Sequence, residues 1–493
     1  MNFLRSINLK YLTILFASSI ILVLIYLLTS EYIFRTGFPL DDAWIHQTYA
    51  RNLALLGEWS YIPGEPSAGS TSPLWTFLIA FGYVIKFAPY LWTYFLGWML
   101  LFAFGILGYL AFVYLTGNNN GWALGSGLLI ILEWHLVWSA VSGMETLLFS
   151  FVVFLILFLI VSEWNNWTII GGLIGVSIWV RPDGITLLLP ALLAIGFGKL
   201  PRREKLWASI KCILGVTCLV IPYLLFNRYI GGTWLPNTFF AKQAEYAIEL
   251  SAPLWNRLLE QALLPMVGFG ICLLPGFILF LLRAIKRREW LLLFPPLWGV
   301  GYLCLYALRL PVIYQHGRYV IPMMPVYFFY AWIGLTGWVE LRSPTTWKRI
   351  VGRAWVTVTW VILTTFLLLG ARAYGRDVAV IESEMVTTAN WIAKNTEPGA
   401  LIAAHDIGAL GYFGERKLLD LAGLISPEVI PFIRDEEKLT QYLNDRGADY
   451  LVTFPGWYPE LVQSAQQYYS TKGQYSLSQG GENMVAYKWL RNP

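Results

Sequence analysis

Charge is what this 493-residue sequence has least of: only 13% of its residues are Asp, Glu, Lys or Arg. Soluble domains carry about 25%. That scarcity excludes a disordered chain, and with a net charge of only +5 it excludes a basic nucleic-acid binder. Cysteine is scarce too. Cys212, Cys218, Cys272 and Cys304 all lie inside apolar runs and read as small buried hydrophobes, not as a disulfide framework or a zinc site. The four histidines make no metal-ligand spacing with a cysteine or with one another. Internal repeats and low-complexity segments are lacking as well, which counts against a transporter built from two repeated halves.

What is present is apolar: 57% of the residues are hydrophobic and 16% aromatic. They come in blocks near the roughly 20 residues that cross a bilayer. The blocks are Tyr11–Ser30, Leu91–Leu115, Gly121–Val141, Glu145–Val161, Thr168–Arg181, Gly184–Lys199, Leu206–Phe226, Leu263–Arg283, Leu291–Leu308, Tyr319–Glu340 and Arg353–Ala371. The first is longer than a signal-peptide core and lacks a cleavage site, so it reads as a retained anchor. Basic residues collect at Arg5/Lys10, Lys199–Lys205, Lys286–Arg288 and Arg342–Arg353, which positive-inside places in the cytoplasm. Parity then holds only if Pro73–Pro89 lies along the outer interface without crossing. The expectation is a polytopic α-helical membrane protein of about eleven spans, its N-terminus cytoplasmic and a first loop, residues 31–90, outside.

From Arg372 onward the balance reverses, with 11 basic against 15 acidic residues. Short strand-like segments (LIAAH, KLLDLAGL, YLVTF, MVAYKWL) alternate there with polar helices. Residues 372–493 therefore read as a small soluble α/β domain, extracytoplasmic by the same parity, after a membrane domain of residues 1–371.

The chemistry gathers on the outer side. Asp41 and Asp42 are adjacent carboxylates just beyond the first span. A close acidic pair raises one pKa and prepares a general base, or shares a metal ion; as an alternative it is a solvated acidic cap on the helix that follows. His46 and Tyr49 fall near the same helical face. Glu133 and His135 lie within an apparent span, where ionisable residues are functional candidates or a self-satisfied pair.

The islands DDAWIHQTYARNL (Asp41–Leu53), TSPLW (Thr71–Trp75), SGMETLLF (Ser142–Phe149), RPDG (Arg181–Gly184), WLPNTFFAK (Trp234–Lys242), GRYVIPMMP (Gly317–Pro325) and DIGALGYFGERKLLDLAGLISP (Asp406–Pro427) resemble the GT-C membrane glycosyltransferases. These use polyprenyl-phosphate-linked sugars, and the likeness is to the branch containing the mycobacterial-type arabinofuranosyltransferases. The resemblance implies a GT-C-like fold and an inverting transfer from a polyprenyl-phosphate donor to an envelope glycan, glycolipid or protein on the outer face of a bacterial cytoplasmic membrane. It implies Asp41 as general base and Asp42 as its partner or as a substrate-orienting group. Ala68-Gly69-Ser70 stands where related sequences have an acid-Gly-aromatic stretch, so acceptor specificity does not carry over.

A lipid phosphate needs cationic donors at the outer boundary, for which Arg318 with His316, then Lys242, then Arg181 are the candidates; each alternatively snorkels to headgroups. Substrate contacts are expected from His46, Tyr49, Arg51, Glu145, His405 and Asp406. No cofactor is required by the sequence, although an Asp-rich site recruits Mg or Mn in other proteins. The rival readings are a polymerase or ligase using lipid-diphosphate-linked sugars, and a transporter or flippase.

Overall fold

The computed structural model describes residues 8–339 and 346–490. Arg5, Glu340 and the start of the Arg342–Arg353 stretch lie outside them. The apolar blocks are helices. α1 (Leu9–Ile33) starts where the Asn8 side chain accepts from the Lys10 amide, and α2 (Asp42–Leu56) ends at Gly57, whose φ of 74° only glycine adopts freely. A two-stranded hairpin, β1 (Ser60–Ile62) and β2 (Glu65–Pro66), and the 12-residue helix α3 (Pro73–Val84) complete the first outer loop. At about 1.5 Å per residue α3 is too short to span.

Then follow α4 (Pro89–Thr116), α5 (Gly121–Ile131), α6 (Trp134–Val141), α7 (Thr146–Val161), α8 (Trp167–Val180), α9 (Leu188–Phe197), α10 (Arg202–Gly231), α11 (Asn237–Glu245), α12 (Leu254–Leu263), α13 (Gly270–Arg287), α14 (Phe294–Arg309), α15 (Met324–Val339) and α16 (Thr346–Ile381). Among the described residues six helices are long and apolar enough to cross a membrane, or eight if each of two bent pairs is one span. The blocks Glu145–Val161, Thr168–Arg181 and Gly184–Lys199 form helices of 10 to 17 residues, below the usual length of a straight span. The block Gly121–Val141 is broken, with α5 and α6 bent by 52°. Glu133 causes the break: its Oε2 caps the Leu136 amide at 3.0 Å and its Oε1 takes the His135 Nδ1 at 2.6 Å. This pair satisfies itself.

Helices α8 and α10 approach closely because glycines face each other. A Cβ on Gly171 would lie 2.0 Å from the Cys212 carbonyl oxygen, and one on Gly215 2.3 Å from that of Thr168. Small residues of this kind let backbones meet where no hydrophobic effect drives helices together.

α16 runs through residue 371 without a break and continues through a π-helical turn into α17 (Thr387–Asn395). The C-terminal region then forms β3 (Leu401–Ala404), α18 (Gly408–Phe413), β4 (Lys417–Asp420), α19 (Glu436–Arg446), β5 (Tyr450–Thr453), β6 (Ala465–Ser470) and β7 (Val485–Trp489). The sheet order is β4-β3-β5-β7-β6, with β4, β3 and β5 parallel and the other pairs antiparallel. Side chains alternate across the sheet with period two. Ala403, Leu451 and Tyr487 pack with Leu439 and Leu443 of α19 in a core of their own. Ile402, Ala404, Val452 and Ala486 on the other face join the core of the membrane helices. One face of the sheet is thus welded to the membrane part.

Candidate functional site

Asp41 and Asp42 stand side by side but point to different partners. The Asp41 side chain does not cap its own helix. Its Oδ2 accepts from the Gly408 amide at 2.6 Å and its Oδ1 from the Ala409 amide at 2.8 Å, the free donors at the start of α18. Arg51, from the same helix α2, donates to the Tyr412 and Gly411 carbonyls at 2.8 and 3.3 Å. α18 is therefore held between a carboxylate at its positive end and a guanidinium at its negative end, the arrangement the helix dipole favours. Tyr61 adds a hydrogen bond to the Ile407 carbonyl.

Asp42 faces the cations. Its Oδ2 accepts from Arg318 Nη2 at 2.6 Å and from Lys242 Nζ at 3.3 Å. Both cations also donate to the Tyr319 hydroxyl, each at 3.1 Å. Burial alone would raise the Asp42 carboxyl, but Lys242 and Arg318 outweigh it and hold the group well below the usual carboxylate range. Arg318 itself is only 3% exposed, yet its Nη1 has no hydrogen-bond partner among the described residues. A buried guanidinium N–H left open is costly unless something else fills it.

The backbone delivers Arg318 to this position at a price in strain. Gln315, His316 and Gly317 have φ of 52°, 59° and 65°, and left-handed backbone costs about 1–2 kcal/mol for each non-glycine residue. The turn carries His316 away from its neighbour, with Nε2 on Asp377 at 2.7 Å and the ring between Trp134 and Trp138.

Two connected clefts result, and Asp42, Ile45, Lys242, Arg318 and Leu424 line both. The first encloses about 970 Å³ of empty space, open solvent at its mouth included. It holds His46, Glu145, Arg181 and Arg309. Arg181 is saturated by Asp183 at 3.2 Å, the Tyr306 hydroxyl at 3.0 Å and Glu145 at 3.5 Å, and the other Glu145 oxygen lies 3.4 Å from His46 Nε2. Leu305 carries this cleft into an apolar groove between α9 and α14, lined by Leu189, Leu193, Phe294, Leu297 and Trp298.

The second cleft encloses about 830 Å³ on the same measure and is lined by Asp41, Asp42, Glu245, His405, Asp406 and Trp457, among others. Burial, reinforced by Asp406, pushes Asp41 up to about 8 despite the two amides that favour its charged form. Burial likewise pushes Asp406 up to about 6, with Asp42 and Glu245 adding to it and His405 opposing. His405 is held between the Tyr458 hydroxyl (2.8 Å) and Glu245 (3.3 Å), and burial, which would lower its pKa, is outweighed by Tyr458, Glu245 and Asp406, which raise it well above the ordinary histidine value.

The structure thus brings together Asp41, Asp42, Lys242, Arg318, Arg181, His46, Glu145, His405 and Asp406. Three sequence candidates do not line either cleft: His316 is turned onto Asp377, Arg51 caps α18, and Tyr49 is buried with its hydroxyl on Ser67 and the Gly69 amide. The small residues Ala68-Gly69 have a packing reason, because a Cβ on Gly69 would lie 2.8 Å from the Tyr49 hydroxyl. Sequence reasoning missed Tyr319, Glu245 and Trp457. Tyr319 adjoins a chosen arginine and Glu245 follows a chosen lysine by less than one helical turn, so proximity was a usable signal for both. Among the described residues, no group of three or more His, Cys, Asp or Glu is placed to hold a metal ion.

No curated protein matches the chain by sequence. Residues 376–487 match a family model described as Domain of unknown function (DUF8728). By structure, the chain is similar to ArnT from Cupriavidus metallidurans, at 14% identity over 98% of this chain and 99% of that one. The TM-score is 0.61 for the crystal structure bound to undecaprenyl phosphate and 0.57 for the apo state. A cryo-EM structure of the arabinofuranosyltransferase AftD from Mycobacteria aligns at 13% identity over 99% of this chain and 40% of that one, with a TM-score of 0.48. Along nearly its whole length the chain has the fold of ArnT, the GT-C-like fold that its sequence islands resemble.

Proposed function

We propose that this protein is an inverting membrane glycosyltransferase that moves a sugar from a polyprenyl-phosphate donor to an acceptor hydroxyl at the outer face of the membrane. One observation carries the reading. The buried Arg318, with an unpartnered Nη1, and Lys242 line a cleft that opens into an apolar groove, in a fold shared with a protein solved with undecaprenyl phosphate. Arg318 and Lys242 bind the phosphate, and the groove between α9 and α14 takes the first isoprene units and releases the rest of the chain into the bilayer. Asp42 keeps both cations in place.

In the reaction the acceptor oxygen forms its bond to the anomeric carbon as the carbon–phosphate oxygen bond breaks. The hydroxyl proton passes to Asp41, and the polyprenyl phosphate leaves with the bonding pair. Its developing negative charge falls on donors already in position. Asp41 suits the role because each of its oxygens keeps a lone pair beyond the amide it accepts and because its raised pKa makes it a stronger base than an exposed carboxylate. A single displacement inverts the anomeric centre. We assign the N-terminus to the cytoplasm and the C-terminal domain to the outside, which supports a reading in which both clefts open where lipid-phosphate sugars and envelope acceptors meet.

The test is transfer by the purified full-length protein, given synthetic polyprenyl-phosphate sugars and an envelope extract. Radiolabel reaching the extract with wild type and not with Asp41→Asn is the expected result. Equal transfer by a folded Asp41→Asn protein overturns the assignment of the base, and no transfer from any donor overturns the enzyme reading.

A further inference from the structure

The second cleft is not needed to hold a lipid phosphate, and its walls come from a different part of the chain. The loops leaving the C-terminal ends of all three parallel strands reach it: Asp406 and Ile407 after β3, Ala422 and Leu424 after β4, and Trp457 after β5. This is the edge at which open α/β sheets meet ligands. The cleft continues outward past Glu245, Tyr246, His405 and Trp457 to Arg434, Glu436 and Tyr458, so it has its own path to the exterior.

The lining has a chemical bias. Trp457 is 49% exposed, with its ring perpendicular to that of His405 at 4.9 Å. Asp406 makes no hydrogen bond or ion pair among the described residues, so both its oxygens are open. Most of the cationic donors are engaged: Arg434 donates to the Glu245 carbonyl, His405 is held by Glu245 and Tyr458, and Lys242 and one Arg318 nitrogen lie on Asp42, which leaves the Arg318 Nη1 to the donor phosphate. An exposed indole beside the open Asp406 carboxylate matches a ring with apolar C–H faces and hydroxyl edges, and Asp406 with Asp42 and Glu245 around it disfavours an anion.

We propose that the C-terminal domain builds the acceptor subsite of this protein and that it takes an uncharged sugar. Trp457 stacks on the sugar ring, and Asp406 accepts from a ring hydroxyl. Calling this ligand the acceptor rests on the glycosyltransferase reading; the sugar site itself does not. Bound there, the sugar presents a hydroxyl to Asp41, which lines the same cleft.

The experiment applies full-length protein in nanodiscs to a printed oligosaccharide array carrying neutral and uronic-acid ends, with undecaprenyl-phosphate binding measured in parallel. Wild type retains neutral-ended glycans. Trp457→Ala lowers that retention about tenfold, the loss expected of one anchoring aromatic, and Trp457→Phe recovers part of it. Asp406→Asn also weakens retention. Retention of no glycan, preference for acidic ends, or equal retention by Trp457→Ala overturns the proposal. The two readings fail separately: loss of undecaprenyl-phosphate binding by wild type sinks the donor assignment alone, and Trp457→Ala is expected to leave that binding unchanged.

Discussion

At the scale of single residues, the two neighbouring aspartates differ because of what faces them. Asp42 has two cations within reach and stays ionised; Asp41 has amides on one side and Asp406 on the other. A base must be deprotonated to act, and a raised pKa means the base is lost as pH falls. Transfer measured as kcat/KM should therefore rise with pH and level off above about 8, the limb belonging to Asp41 and Asp406 together. Asp41→Asn should lower transfer by about 10²–10⁴-fold, the usual contribution of a positioned base, and remove the limb. Asp406→Asn removes the like charge and should move the limb to lower pH. A flat profile between pH 6 and 9 would contradict the role given to Asp41.

At the scale of elements, α18 and the glycine seam between α8 and α10 carry the most specific demands. Because α18 is held at both ends by α2, Arg51→Ala should lower the unfolding temperature in detergent and leave undecaprenyl-phosphate binding intact. Gly171→Ala forces a Cβ onto the Cys212 carbonyl, whereas a Cβ on the adjacent Gly172 meets nothing within 4 Å. Thermal unfolding should separate these two alanine variants, with Gly171→Ala clearly destabilised and Gly172→Ala near wild type. The apolar blocks were legible because spanning segments must satisfy their backbone internally and bury or expose only apolar side chains to lipid. The break at Glu133 was not, since a capping carboxylate and a functional one look alike in sequence. Arg318 and Lys242 stood out as candidates because a lipid phosphate needs cationic donors at the outer boundary. His316 lies off the clefts because left-handed backbone at Gln315 and His316 turns its ring onto Asp377, between Trp134 and Trp138, a conformation that neither Gln nor His announces. The contact of Asp41 with amides 367 and 368 residues away leaves no local trace, and Trp457 was hidden among 24 tryptophans.

At the scale of the whole molecule, the two parts expected from the sequence are one structure. α16 crosses the expected boundary at residue 371, one sheet face shares its core with the membrane helices, and the second cleft takes walls from both. That continuity gives the C-terminal domain a position beside Asp41 and the cations. The topology has its own check: a cysteine at Gly447, at the end of α19, should react with an impermeant reagent from outside, and labelling only from the cytoplasm would overturn the eleven-span arrangement. In the proposed reaction everything depends on Arg318 and Lys242 as the lipid-phosphate site at the head of the α9–α14 groove. Undecaprenyl phosphate and undecaprenol should be titrated against wild type and Arg318→Ala in nanodiscs. Such a site should make wild type bind the phosphate more tightly than the alcohol by at least about tenfold, as charge-assisted hydrogen bonds allow, and Arg318→Ala should abolish this preference. Equal affinity of wild type for the two lipids would contradict it.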